Sequence, residues 1–179
     1  IMSTADSQLL VAASAISHDL GLGGERNRLL YSRLAIVMLV VFAGAILISV
    51  FGLGVQLPTQ VDQVAPADVE TEPGFDNPGV REVYPGRYEV YIVAETWQFT
   101  PTQVDIPAGS EVTFFITSKD IIHGFKVFDT NVNIMVIPGQ ISEVTHTFNE
   151  PGEFQFYCHE YCGSAHHTMT GVINITEGE

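Results

Sequence analysis

The sequence predicts a mainly β fold, a sandwich of short antiparallel strands preceded by one transmembrane α-helix, and three observations predict it. From Tyr88 onward the chain breaks into short alternating or apolar runs separated by Pro and Gly, with no amphipathic helical period in competition. Upstream, Leu34 to Val55 is a run of 22 residues without a charge. The composition agrees: 179 residues, 46% of them apolar, with two cysteines and a net charge of −14, suit one moderate domain plus a membrane element and exclude a disulfide-built scaffold.

In chain order, residues 1–33 form an N-terminal cytoplasmic segment, weakly apolar and broken by Gly21-Leu22-Gly23-Gly24, where a flexible or surface-lying path and a solvated His18 are expected. Residues 34–57 hold the transmembrane helix, because 22 residues at about 1.5 Å each rise about 33 Å, enough for the hydrocarbon core. A cleaved signal peptide is the competing reading, but the apolar run is longer than a signal core and no convincing small-residue cleavage site ends it. Arg26, Arg28 and Arg33 precede the helix, and Asp62, Asp68, Glu70 and Glu72 follow it. By the positive-inside rule the N-terminus is cytoplasmic, giving a single-pass protein of the cell membrane with its large part on the periplasmic or extracellular side.

Residues 58–86 read as an acidic connector interrupted by Pro58, Pro66, Pro73, Pro78 and Pro85, extended over a surface. Residues 87–179 are the outer domain. Its predicted strands are Tyr88–Thr96, Gln103–Ile106, Glu111–Ser118, His123–Phe128, Ile141–Phe148, Glu153–Cys158 and Gly171–Ile175. Alternation puts Val112, Phe114 and Ile116 on one inward face and Phe154, Phe156 and Cys158 on another, so that Cys158 leaves the core at a strand end and Gly163 lets the following loop turn back. His146 shares the face of Val144 and Phe148 and reads as a partly buried edge histidine.

The chemistry is concentrated in Cys158-His159-Glu160-Tyr161-Cys162-Gly163-Ser164-Ala165-His166-His167-Thr168-Met169, which holds both cysteines, three of six histidines and one of four methionines. Thiolate and thioether are soft ligands and imidazole is borderline, so this set points to copper before zinc and well before magnesium or calcium. His123, flanked by Ile122, Gly124 and Phe125 at an apolar strand end, is the candidate that completes it. A Cys158–Cys162 disulfide and a structural zinc on the two cysteines with His123 and His166 are the competing readings, and Met169 weighs against zinc. His159 and His167 stand beside the candidate ligands, and either could replace His166 on spacing alone.

Cys-x-Glu-x-Cys-x-x-x-His-x-x-Met with an upstream His-Gly-Phe resembles the binuclear copper A site of cytochrome c oxidase subunit II. Val104-Asp105-Ile106-Pro107-Ala108-Gly109, Thr130-Asn131-Val132-Asn133, Pro138-Gly139 and Pro151-Gly152-Glu153 resemble that family too, over about residues 30 to 176. The resemblance implies a cupredoxin-like Greek-key β-sandwich, with Cys158 and Cys162 as bridging thiolates, His123 and His166 as terminal imidazoles, Met169 as a weak ligand and the backbone carbonyl of Glu160 as another. The single helix makes the chain most similar to the B-type haem-copper oxidases, where a carboxylate near the start of this helix serves proton uptake; Glu25 is the nearby candidate, and a solvated helix-end charge is its plainer role. A magnesium ion on the Glu160 side chain, as in A-type oxidases, is disfavoured by the same similarity. Trp97 reads as a core or interface aromatic, and the resemblance adds electron uptake near the copper.

The resemblance thus implies an oxidoreductase subunit with no catalytic residue of its own. It would accept electrons from a cytochrome c or a small copper protein and pass them to haem in subunit I, where oxygen is reduced and protons are translocated. A copper A subunit of a nitric oxide reductase and a membrane-tethered copper carrier are the alternatives. All of the net negative charge lies beyond Pro58, since the three acids before it balance three arginines. Such a face attracts a basic donor, or else marks a chain adapted to high salt. Membrane lipid is an expected partner and nucleic acid is not.

Overall fold

The computed structural model describes residues 25–55 and 59–178, so the reading of the first 24 residues, His18 included, lies outside the described residues. The described residues divide between two compact units on either side of Val55.

The first unit is helix α1, Glu25–Leu47, which passes into a π-helical turn at Ile48–Gly52. Among the described residues it is the one helix long and apolar enough to cross a membrane, through Arg33–Gly52. Ile36, Val37, Met38, Leu39, Val40, Val41 and Phe42 are consecutive and all exposed. Seven successive residues point to every side of a helix, and a helix apolar all round suits lipid rather than a one-sided protein core. The helix starts nine residues before the charge-free run, because that run measures the apolar thickness while a polar first stretch can still be helical. It ends where Leu53 and Val55 N–H donate to the Ile48 and Ser49 carbonyls and Gly54 takes φ 63°.

The second unit is a two-sheet sandwich. Its strands are β1 (Thr59–Asp62), β2 (Gly79–Tyr84), β3 (Arg87–Glu95), β4 (Gln98–Thr100), β5 (Gln103–Pro107), β6 (Ser110–Ser118), β7 (His123–Val127), β8 (Asn133–Val136), β9 (Ile141–Phe148), β10 (Gly152–Tyr157) and β11 (Thr170–Thr176). One sheet has the order β1-β9-β6-β3-β2 with β4 paired to β3, and the other has the order β5-β11-β10-β7-β8. The seven predicted strands are all present, within a residue or so of their expected bounds.

The expectation of wholly antiparallel pairing is corrected at two places: β3 pairs with β6 in parallel, Val90 opposite Phe114, and β11 pairs with β5 in parallel, Ile173 opposite Val104. The chain leaves β3, crosses to the facing sheet as β5 and returns as β6. Two reversals restore the original direction, so β6 lies parallel to the strand beside it.

The predicted connector is corrected as well. Its later part forms β2, antiparallel to β3, and a 3-10 turn at Val69–Thr71 precedes it. Val64, Val69 and Phe75 bury against Val93 and Ile141, with Tyr91 and Phe115 packed alongside. These three apolar side chains are too far apart to show alternation, so only the fold brings them together.

The main core lies between the sheets. Val112, Phe114 and Ile116 are fully buried, as are Phe99, Phe125 and Phe156. Phe125 and Phe156 meet at a tilt of 40° with centroids 5.0 Å apart, and Phe99 meets both edge-on at 5.7 and 5.4 Å. Such pairs add about 0.5–1.5 kcal/mol each beyond their burial. Two of these rings, Phe125 and Phe156, belong to β7 and β10, the strands from whose ends His123 and Cys158 emerge.

Candidate metal centre

Two chain segments supply the donors. His123 opens β7, and Cys158 follows β10 where the loop to β11 begins. In that loop a 3-10 turn at His166–Thr168 turns the chain back, closed by Met169 N–H donating to the His166 carbonyl at 3.2 Å. Cys158 N–H donates to the Met169 carbonyl at 3.0 Å and ties the two ends of the loop together.

The four central side chains are buried: His123 is 0% exposed, Cys158 4%, Cys162 2% and Met169 1%. Both cysteines are free, with their Sγ atoms 3.8 Å apart. Each sulfur has its own imidazole, the His123 Nδ1 at 3.9 Å from Cys158 Sγ and the His166 Nδ1 at 3.5 Å from Cys162 Sγ. Each also has one weaker donor, the Glu160 carbonyl at 3.1 Å from Cys158 Sγ and the Met169 Sδ at 3.7 Å from Cys162 Sγ. The ligand atoms of His123, Cys158 and Cys162 all lie within 4.8 Å of one another. Burial first, and then the neighbouring Cys158, pushes the Cys162 thiol up to about 11. A buried thiol ionises readily only when a cation replaces the lost hydration.

The structure brings the six predicted donors together. The His159 ring lies over Gly124, where a Cβ would meet it at 2.6 Å, and its Nδ1 is 3.5 Å from the Glu160 carboxylate. His167 is exposed. An open groove of about 490 Å³ runs over this end of the sandwich, lined among others by Phe128, Tyr157, His159, His166, His167 and Met169. Trp97, 40% exposed, donates its indole Nε1–H to the Cys162 carbonyl at 3.0 Å. Gly163, at φ 119°, leaves room for that indole.

Sequence reasoning missed Asp120. Its Oδ1 lies 2.9 Å from His123 Nε2 and accepts from the Ile121 N–H at 2.7 Å and from Ser118 Oγ at 3.3 Å. Its Oδ2 accepts from the Thr96 N–H at 2.7 Å and from the Thr96 hydroxyl. Burial works to raise its pKa, but the bonds from Thr96, His123 and the Ile121 amide outweigh it and hold the carboxyl well below the usual carboxylate range. The available signal was a carboxylate three residues before a candidate histidine ligand, since such a histidine usually gives its other ring N–H to a carboxylate or carbonyl.

As a donor set, two thiols, two Nδ1 atoms, a thioether and a carbonyl are soft to borderline and fit copper. Two sulfurs, each provided with a separate imidazole and a weak donor, fit a pair of ions better than one.

Comparison with known proteins gives a consistent result. The family described as cytochrome c oxidase subunit II, periplasmic domain, matches residues 92–176. A cytochrome c oxidase subunit 2 of Thermus thermophilus is 35% identical over 163 residues, spanning 90% of this chain and 96% of the relative. A second cytochrome c oxidase subunit 2 from Thermus thermophilus is 39% identical over 120 residues, 66% of this chain and 89% of the relative. Among solved structures, a chain of a haem-copper terminal oxidase dimer superposes with a TM-score of 0.68 at 36% identity, over 80% of this chain and 95% of that one.

Proposed function

We propose, for a chain that belongs to the cytochrome c oxidase subunit II family, that its β-sandwich holds a binuclear copper centre and is the electron inlet of a haem-copper oxidase. It takes single electrons from a cytochrome c or a small copper protein and delivers them to haem in subunit I, where oxygen is reduced to water with proton translocation. The observation that carries this reading is the paired donor set: two buried free cysteines with sulfurs 3.8 Å apart, each beside its own imidazole Nδ1.

In this reading Cys158, Cys162, His123 and His166 would hold the copper pair, with Met169 and the Glu160 carbonyl as weaker donors. A copper pair held there supplies a one-electron centre. The chain's own part is to keep the donors still and dry, which the buried strand ends and the closed loop support. Trp97 serves electron uptake, partly exposed at the surface and with its N–H on the Cys162 carbonyl. The helix anchors the chain in the cell membrane with its N-terminus in the cytoplasm and the sandwich outside, the orientation that the flanking arginines favour.

Copper content and electron paramagnetic resonance of the full chain in detergent test the assignment. Two coppers per chain sharing one unpaired electron are expected. One copper with a localised spin, or a chain that takes up none, refutes it.

A further inference from the structure

One carboxylate joins two parts of the site that the sequence keeps apart. Asp120 faces the His123 ring through Oδ1 and the Thr96 amide and hydroxyl through Oδ2. Thr96 directly precedes Trp97, whose indole is bonded to the Cys162 carbonyl. The run from His123 through Asp120, Thr96 and Trp97 therefore connects a donor on β7 to Cys162 in the loop. Lys119, the cation next to Asp120 in the chain, is held by Glu70 at 2.7 Å. It leaves the Asp120 carboxylate to the neutral donors.

We propose that Asp120 is a positioning residue of the centre, a single carboxylate that fixes the ring tautomer and orientation of His123 and anchors the Trp97 loop against the same imidazole. This rests on the copper reading above for its effect on the metal, but not for its effect on the ring. A carboxylate opposite Nε2 requires the proton there, which leaves the Nδ1 lone pair facing Cys158 Sγ at 3.9 Å. A charge-assisted bond to Nε2–H also makes Nδ1 a stronger donor, and a stronger donor favours the more highly charged, oxidised state of a bound metal. The anchor is itself well placed. The Ile121 amide holds Oδ1 from within the loop and Ser118 holds it from the end of β6, while Thr96 holds Oδ2 from the facing turn.

The test uses the full chain in detergent, with wild type, Asp120→Asn and Asp120→Ala side by side. In the metal-free wild type, nitrogen-15 spectra of labelled histidine should show His123 protonated at Nε2 alone. Asp120→Ala should lose that single tautomer. Asp120→Asn keeps an acceptor for Nε2–H but loses the charge, and its amide cannot accept from Thr96. Loaded with copper, both variants should still bind the metal but release it to a chelator about 10–100-fold more readily. Their reduction potentials should move upward. If Asp120→Ala does not fold, Asp120→Asn carries the test through its potential. A His123 tautomer and a potential unchanged from wild type, with or without a loss of stability, would overturn the proposal. Should the wild type fail to bind a copper pair, the functional assignment falls, and the metal-free tautomer still decides the role of Asp120.

Discussion

Replacing Gly163 with Ala isolates the contact between Trp97 and the cysteine loop. Gly163 sits at φ 119°, a conformation that L-residues rarely adopt, and forcing one into it costs about 1–3 kcal/mol. A Cβ there would lie 2.8 Å from Trp97 Nε1 and 3.3 Å from Cε2 and Cζ2, so the indole has to move. Moving it breaks the 3.0 Å bond to the Cys162 carbonyl, worth about 0.5–1.5 kcal/mol. Together the two effects destabilise the sandwich by about 1.5–4.5 kcal/mol. Trp97→Phe removes the hydrogen bond without the backbone strain and serves as the reference, at about 1 kcal/mol. The assay is guanidinium unfolding of the metal-free chain, followed by the far-ultraviolet dichroism of the sheets. With slopes of about 2–6 kcal/mol per molar, a loss of about 3 kcal/mol moves the midpoint down by about 0.5–1.5 M. A Gly163→Ala variant no less stable than Trp97→Phe would refute the backbone argument, because both variants lose the hydrogen bond and the strain exists only in the first.

Phe156→Ala should cost about 3–5 kcal/mol, since the ring is fully buried between Phe99 and Phe125, whereas Phe128→Ala, at a ring 48% exposed, should cost far less. The same unfolding assay checks the pair, and equal losses would contradict the placement of the core. His146 packs on Phe148 at 4.7 Å, and burial first, then the charge of Lys126, holds its imidazole below the ordinary 6.5. The unfolded chain therefore takes up this proton before the folded one as pH falls, so the stability gained by keeping the ring neutral is present above 6.5 and lost below it. Stability measured from about pH 7 to about pH 5 should fall less steeply in His146→Gln, and an unchanged slope would remove this assignment.

What the sequence revealed and what it hid divide along a physical line. Alternation is a local signal, so Val112, Phe114 and Ile116, or Phe156 and Cys158, could be placed on inward faces from their spacing, and all are buried. The donor set was legible because five of its residues fall within twelve positions and carry soft-ligand chemistry. Strands β1, β2, β4 and β8 were missed because each is short, at three to six residues, and gains its hydrogen bonds from a partner distant in sequence or across a turn. Val64, Val69 and Phe75 were missed for a related reason: isolated apolar residues between prolines show no period, and their burial depends on a surface that β3 and β9 provide. Asp120 escaped because a loop carboxylate looks like a solvated charge until the Thr96 turn is seen closing over it.

The arrangement also bears on how little the donors need to move. Cys158 is held by its own N–H on the Met169 carbonyl, by the Gly124 N–H donating to its sulfur at 3.4 Å, and by the strand from which it emerges. His123 is fixed at Nε2, and Met169 is buried to 1% behind the loop that His166 closes. Each of these donors is thus restrained by a bond or a packed wall that any bound metal need not supply. Electron transfer is slowed by whatever must rearrange between oxidised and reduced states, so a site whose ligands are held by the fold suits a centre that changes charge without changing partners. The same restraint applies to the two donors at strand ends: β7 and β10 are hydrogen-bonded neighbours, with Val127 opposite Phe156, and their pairing fixes the separation of His123 and Cys158.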